Sequence, residues 1–165
     1  MFISTTVQDA INEQIKNELY SAYLYLSMSA HFEAVNLPGF AKWTRLQADE
    51  ELSHAMKFYD YLNERGGRVI LHAIEQPPIE WGSPQEIFEA ILAHEQKVTG
   101  LINDLYATAL AEKDYASQVM LHWFIDEQVE EENNASQIVE QLKLAGDRPG
   151  NIMYIDRHVG KREAE

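Results

Sequence analysis

The chain has 165 residues, 45% of them hydrophobic and 10% aromatic, which is enough for one domain with a single substantial core. It contains no cysteine, which excludes disulfides, thiolate nucleophiles, zinc ribbons and cysteine-ligated iron–sulfur clusters. With 27 acidic against 13 basic residues the net charge is −14, which disfavours binding to nucleic acid or an anionic membrane and favours cations.

The N-terminal segment gives no sign of export. Residues 1–7 contain neither a basic region nor a sustained apolar run, and no stretch approaches the roughly 18 apolar residues of a membrane span. We therefore expect a cytoplasmic protein with no membrane partner, folded as a single domain over residues 1–165.

Apolar residues recur at steps of three and four, which predicts an all-α chain with four long helices. The first runs from about Val7 to Val35 and stops at the turn formed by residues 36–39. The second follows and ends near Arg65, before two consecutive glycines. Because the connecting turn is short, these two helices are predicted to be antiparallel neighbours.

A long connection follows the second helix. Residues 68–82 include Pro77-Pro78, and the stretch is too long for a hairpin but suits a crossover along the length of a bundle. We expect this crossover to make the first and third helices parallel.

The third helix has a strong start signal in Ser83-Pro84-Gln85-Glu86, with serine as N-cap, proline first and glutamate third. It is predicted to end near Glu112, and the fourth helix to run from about Asp114 to Ala145. In the tail beyond Gly146, apolar spacing predicts a short fifth helix, with a frayed terminus as the alternative. The residues that carry this spacing are Ile152, Ile155 and Val159.

Two sets of potential metal ligands repeat at the same spacing. Glu18 precedes Glu51 by 33 residues, Glu95 precedes Gln128 by 33, and a third residue follows three positions later in each half. These third residues are His54 and Glu131. All six continue apolar stripes near mid-helix, so their side chains are predicted to face the core at similar height.

Several carboxylates buried together would cost many kcal/mol or take up protons, unless cations neutralise them. Residues three apart on a helix can bind one ion together, as Glu51 and His54 would. A set of four glutamates, one histidine and one glutamine suits iron or manganese better than zinc or copper. The sequence therefore predicts two metal ions between two helix pairs.

At these residues the chain resembles the non-haem bacterial and archaeal ferritins over nearly its whole length. Four segments carry the resemblance: Glu18-Leu19-Tyr20-Ser21, Glu50-Glu51-Leu52-Ser53-His54-Ala55-Met56, Glu64-Arg65-Gly66-Gly67 and Glu127-Gln128-Val129-Glu130-Glu131-Glu132. The resemblance implies a ferritin-like four-helix bundle with a long crossover between helices two and three and a short C-terminal fifth helix.

The resemblance also implies the ligand sets. The first iron site would be Glu18, Glu51 and His54, with Glu51 bridging to the second. The second would use Glu95 and Glu131, with Gln128 nearby. A third site beside the pair would consist of Glu50, Glu127 and Glu130. Tyr25 and Trp123 would lie near the centre, although both also suit plain core packing.

The implied activity is ferroxidation coupled to storage. Two Fe(II) ions would be oxidised by O2 or H2O2, and the product would be stored as an oxide mineral inside a hollow homo-oligomeric shell of 24 subunits. Haem is not expected, because Leu52 stands where bacterioferritins carry a haem-ligating methionine. Gln118 and Leu121 stand where animal ferritins line a threefold pore with acids, so another route for iron stays open.

Two other functions are compatible with the residues. One is a di-iron oxidase or peroxidase acting on an organic substrate, which needs an open pocket beside the metals and is disfavoured by the aromatic stripes. The other is a structural bundle whose acids bind stray divalent ions, which the displacement of the second triad by 77 residues disfavours.

Overall fold

The computed structural model describes residues 2–164, so Met1 and Glu165, the ends of the predicted domain, lie outside the described residues. Five α-helices make up the described secondary structure: α1 Thr5–Ala34, α2 Pro38–Glu64, α3 Pro84–Ala111, α4 Tyr115–Ala145 and α5 Pro149–Val159. The predicted all-α class, the crossover and the short fifth helix are confirmed. None of these helices is both long and apolar enough to cross a membrane.

Local signals explain where the helices begin and end. The predicted capping box of α3 is present, with the Ser83 side chain accepting from the Glu86 amide and the Glu86 side chain accepting from the Ser83 amide. The turn after α1 places Asn36 at φ 62°, and Gly66 after α2 has φ 70°. These left-handed conformations suit asparagine and glycine and stop the helices there.

The crossover connects opposite ends of the bundle. At its start, Asn12 near the beginning of α1 donates a hydrogen bond to the carbonyl of Arg68 at 3.0 Å. At its end, Ser27 donates to the carbonyl of Pro78 at 2.6 Å. The connection therefore runs alongside α1 from its beginning towards its end.

This path shows that the predicted parallel arrangement of the first and third helices is wrong. The end of α1 meets the start of α3, where the rings of Phe32 and Phe88 lie 6.1 Å apart. The start of α1 packs against the far half of α3, with Val7 and Ile102 in one cluster. A crossover of full length returns the chain to the end where α2 began, which makes α3 parallel to α2 and antiparallel to α1.

The hydrophobic core is divided into two clusters at the two ends of the bundle. One includes Met28, Phe32, Phe40, Phe88 and Leu142. The other includes Ile11, Phe58, Ile102, Leu121 and Phe124. On each long helix the predicted metal ligands lie between the residues of these two clusters. The packing therefore holds a polar layer at mid-height, with dry hydrophobic packing above and below it.

The fifth helix docks on the start of α2. No side chain of the preceding residue caps α2, but Asp156 of α5 accepts a hydrogen bond from the Phe40 amide at 2.8 Å. A carboxylate at a helix N-terminus is favoured by the helix dipole. Gly39 permits this contact, since a Cβ there would lie 1.7 Å from the Asp156 carbonyl oxygen.

Candidate metal centre

All six residues of the two triads face the core at mid-height. Their exposed fractions lie between 1% and 4%, for Glu18, Glu51, His54, Glu95, Gln128 and Glu131. The apolar stripes that these six residues continue are also buried, apart from Tyr61 at the end of the α2 stripe and Met120 at the start of the α4 stripe, which are half-buried. Next to Met120, Leu121 is fully buried, so it packs in the core and does not line a pore.

The α1–α2 half brings its three predicted ligands together. Glu18, Glu51 and His54 each offer one ligand atom, and these atoms lie within 4.8 Å of one another. His54 Nδ1 is 3.3 Å from Glu51 Oε2 and 4.0 Å from Glu18 Oε2. Both of these carboxylate oxygens are buried and have no hydrogen-bond partner within residues 2–164. Buried oxygens of this kind are costly unless a cation or proton reaches them.

The α3–α4 half is held by hydrogen bonds. The Tyr25 hydroxyl donates to Glu95 Oε1, and Gln128 Nε2 donates to Glu95 Oε2 at 3.2 Å. Gln128 also reaches the hydroxyl of Thr99 at 3.3 Å. Glu131 is bonded elsewhere, with its Oε2 accepting from Gln47 Nε2 at 2.7 Å. Both Glu95 oxygens must therefore exchange protein partners for metal, whereas Glu131 Oε1, like the two oxygens of the other half, has no hydrogen-bond partner within residues 2–164.

Burial raises the pKa of every carboxyl group in the centre. It raises that of Glu18 to about 7 and that of Glu131 to about 9. The pKa of Glu51 lies well above its usual range because of burial and the neighbouring charges of Glu95, Glu18 and Glu131. The Glu51 carboxyl group is therefore close to acids from both halves. Without a cation these groups retain protons near neutral pH, and a divalent cation would replace those protons.

His54 is a neutral imidazole at neutral pH. Burial and the positive charge of Lys57 lower its pKa to about 4, although three carboxyl groups lie within 4.0 Å of its ring nitrogens. Burial also raises the pKa values of the Glu18 and Glu51 carboxyls, which weakens their hold on a ring proton. A neutral imidazole is the form that binds metal ions.

A second group of acids adjoins the centre through His54. The group contains one carboxylate oxygen from each of Glu50, Glu127 and Glu131 and one nitrogen of His54. These four atoms all lie within 4.8 Å of one another. We call these four residues the inner group. The structure brings together two of the three acids predicted for a third site, whereas Glu130 is exposed and outside the group.

A cavity of about 410 Å³ opens beside the inner group. Its lining is rich in charged side chains, which include Asp49, Glu50, Lys57, Glu127 and Arg162. The indole of Trp123 borders it too, with its ring centre 5.4 Å from that of His54. Trp123 therefore contacts a candidate ligand, but it is 39% exposed and lies outside the carboxylate layer. This lining suits ions and water better than an apolar organic substrate.

Tyr25 is fully buried and bonds to Glu95, so it adjoins the α3–α4 half. Its ring packs edge-on against His94 at 5.8 Å. His94 Nε2 in turn lies 2.7 Å from the hydroxyl of Ser21. Burial and the charges of Glu95 and Glu51 raise the Tyr25 pKa, so the phenol remains protonated and a hydrogen-bond donor.

Two residues at the centre were not identified from the sequence. Gln47 lies one turn before Glu51 on the buried face of α2, and its amide bonds to Glu131 from the other half. A polar residue at that stripe position was the available signal. Arg162 reaches Gln47 and Glu50 from beyond α5. No spacing pattern connects it with them, because the contact depends on how α5 docks.

Comparisons with known proteins agree with this fold. The family model described as Ferritin-like domain matches residues 8–145. A bacterial non-heme ferritin of Bacteroides fragilis is 46% identical over 160 residues, covering 97% of this chain and 99% of the relative. A probable bacterial non-heme ferritin-like protein of Haemophilus influenzae is 37% identical over 158 residues, covering 96% of each chain.

Among solved structures, an open pore ferritin from the archaeon Archaeoglobus fulgidus superposes with a TM-score of 0.97. It is 47% identical in sequence, with 99% of this chain and all of that chain covered. The likeness thus extends through the bundle, the crossover and α5, beyond the residues that the family model matches. The chain belongs to the ferritin family.

Proposed function

We propose that this chain stores iron and that Fe(II) is oxidised at the centre formed by the two triads. The observation that carries the proposal is the pair of buried, unpartnered oxygens on Glu18 and Glu51 beside the neutral imidazole of His54. A divalent cation would satisfy both oxygens and displace the retained protons. Family membership favours iron as that cation and storage as the outcome.

In the proposed cycle, Fe(II) first binds Glu18, Glu51 and His54. A second Fe(II) binds Glu95 and Glu131 once the hydrogen bonds to Glu95 give way, with Gln128 beside it and Glu51 bridging. Hard carboxylate oxygens stabilise Fe(III) over Fe(II), which favours loss of electrons to O2 or H2O2. The carboxyl protons released as iron binds leave the centre by exchange with water.

The inner group is proposed as the step after oxidation. It shares His54 and Glu131 with the two triads and opens into the cavity of about 410 Å³. Ferric iron leaving the centre would reach Glu50 and Glu127 before the cavity. Glu130, exposed beside this group, is proposed as an outer ligand on that path.

We propose that the chain assembles into a hollow homo-oligomer, of 24 subunits by family likeness, in the cytoplasm. Large apolar side chains on the outside of the single chain support assembly, since they need a partner surface. The exposed fractions are 76% for Ile79, 73% for Tyr154 and 88% for Leu144. Analytical ultracentrifugation should find a particle many times the 19.0 kDa of one chain.

One experiment separates storage from the alternatives. The purified apo-protein is given excess Fe(II) in air, passed over a sizing column and assayed for iron per chain. Hundreds of iron atoms per chain in a large particle indicate storage. Roughly two per chain, the content of a dinuclear site, would indicate an oxidase acting on another substrate. No retained iron would indicate a structural bundle.

A further inference from the structure

The segment after α5 places an arginine against the inner group. Arg162 Nη2 donates to Glu50 Oε2 at 2.5 Å, and Nη1 donates to Gln47 Oε1 at 2.7 Å. The guanidinium carbon also lies 4.8 Å from the centre of the Trp43 ring. The side chains of Arg162 and Glu50 are only 18% and 14% exposed. The arginine is thus held by a carboxylate, an amide and an aromatic face, unlike a typical surface ion pair.

The docking of α5 fixes this contact. Asp156 is tied to the Phe40 amide, and Lys42 Nζ donates to the Gly160 carbonyl at 3.0 Å. Two residues beyond Gly160, the chain brings Arg162 alongside α2. Glu50 lies ten residues after Phe40, or roughly 15 Å along the helix axis. The arginine is therefore positioned by the same interactions that hold the fifth helix to the bundle.

Arg162 also determines which way the Gln47 amide points. A guanidinium donates hydrogen bonds and accepts none, so the amide oxygen of Gln47 faces Arg162. Its NH2 group must then face the centre, where it donates to Glu131 Oε2 at 2.7 Å and to Glu51 Oε1 at 3.4 Å. Arg162 thus acts on the inner group directly at Glu50 and indirectly at Glu131.

One buried oxygen of the inner group is available to a cation. Glu131 Oε1 is buried and has no hydrogen-bond partner within residues 2–164. The same carboxyl group lies in one cluster with Glu50, Glu127 and His54. A divalent cation there would need the Glu50 carboxylate, which Arg162 already engages.

We propose that Arg162 is the chain's own competitor for the inner group, and that a divalent cation binds Glu50 and Glu127 only by displacing it. The inference rests on the proposed function, because it takes the inner group to be a cation site. Displacement releases the segment from 161 to 164 and frees the Gln47 amide to turn. The competition keeps cation binding at this step weak, which favours passage of iron over retention.

Zinc binding to the full-length assembled protein tests the competition, because Zn²⁺ is not oxidised. Calorimetric titrations compare the wild type with Arg162→Gln. The Zn²⁺-binding step that is lost in Glu127→Gln is assigned to the inner group. We expect Arg162→Gln to bind Zn²⁺ at that step about tenfold more tightly, with the step of the α1–α2 half unchanged. Arg157→Gln, an equal charge change at an exposed position of α5, is the matched control and should leave both steps unaltered.

Arg162→Lys keeps the charge but loses the two-pronged geometry, so its affinity should lie between those of the wild type and Arg162→Gln. Hydrogen exchange on the wild type gives a second readout that needs no variant. Amides of residues 161–164 should exchange faster at saturating Zn²⁺. Unchanged or weaker Zn²⁺ binding in Arg162→Gln, or slower exchange in this segment with Zn²⁺, would overturn the proposal.

The same titrations separate this inference from the proposed function. If Zn²⁺ binds the α1–α2 half and iron is stored, but no binding step depends on Glu127, the role of Arg162 is wrong and storage stands. If no Zn²⁺ binds and no iron is retained, both are wrong.

Discussion

The two halves of the metal centre carry matched triads, yet they are not equally ready to bind metal. In the α1–α2 half, Glu18, Glu51 and His54 converge, and two buried oxygens lack a hydrogen-bond partner within residues 2–164. In the α3–α4 half, Tyr25 and Gln128 occupy both oxygens of Glu95, and Gln47 holds one oxygen of Glu131, so that only Glu131 Oε1 lacks a hydrogen-bond partner within the described residues. The repeat sets the positions of the ligands, and the surrounding hydrogen bonds set their availability.

Replacing the Glu51 carboxyl group should weaken metal binding in both halves, because this carboxyl lies near acids from both. We expect Glu51→Gln to weaken metal binding by at least about 100-fold, the upper end of what loss of a supporting residue costs. The apo-protein should be as stable as the wild type or more so, since a buried acid is replaced by a neutral group of the same shape. Metal titration and thermal unfolding measure both effects.

Glu33→Gln, at an exposed acid of α1, is the control for Glu51→Gln. It should change neither metal affinity nor stability appreciably. Metal binding of near wild-type strength in Glu51→Gln would rule out a shared central carboxylate.

The pH dependence of stability should expose the protons that the centre holds. Because Glu18 and Glu131 have folded-state pKa values of about 7 and about 9, the folded apo-protein binds more protons than the unfolded chain above pH 4.5. Their stabilising contribution is lost as pH rises through those values. His54 acts oppositely below pH 6.5, since its stabilising contribution is lost as pH falls towards its folded-state pKa of about 4.

Above pH 6.5 the glutamates dominate, so the melting temperature of the apo-protein should fall by several degrees between pH 6.5 and 9. Saturating Zn²⁺ should remove this fall, because the cation replaces the protons. The measurement is differential scanning calorimetry across that range. An apo melting temperature that stays level or rises would mean that the carboxyl groups are ionised in the folded protein.

Changing the amide of Gln128 to an acid should make the two halves more alike. We predict that Gln128→Glu binds the second metal ion about tenfold more tightly and slows turnover, because a neutral ligand lets oxidised iron leave. The Gln128 NH2 donates to Glu95 and Thr99, so the variant should also be less stable without metal. Stopped-flow oxidation and mineral growth report the kinetics, and faster mineralisation would refute the idea.

Tyr25→Phe should have the smallest effect of these changes. It removes the hydroxyl that donates to Glu95, so we expect a stability loss of about 1–2 kcal/mol in the apo-protein. Affinity in the α1–α2 half should be unchanged, while binding in the α3–α4 half should shift by a few-fold. Isothermal titration can resolve the two steps, and an equal change in both would show that Tyr25 does not belong to one half.

Much of the fold follows from local patterns in the sequence. The capping box at Ser83, the turn at Asn36 and the glycine after α4 all mark helix ends where the structure has them. The direction of α3 relative to α1 was predicted wrongly, because direction depends on where a crossover ends in space. The hydrogen bonds from Asn12 and Ser27 to the crossover show where it runs, and helical periodicity in the sequence does not predict these bonds.

The candidate site, like the fold, was predictable from the sequence only in part. Burial of the six triad residues was predictable from the apolar stripes, because helical periodicity decides which face turns inward. Their hydrogen-bond partners were not predictable, since Gln47 and Tyr25 each bond to a residue of another helix. Arg162 is the extreme case, because its contact with Glu50 joins positions 112 residues apart.

The most direct test of the unequal halves is to locate the first metal ion. Crystals of the apo-protein are soaked with one equivalent of Co²⁺ per chain, and anomalous diffraction is measured at the cobalt edge. We predict one dominant peak among Glu18, Glu51 and His54. A peak of equal or greater height beside Glu95, Gln128 and Glu131 would contradict it.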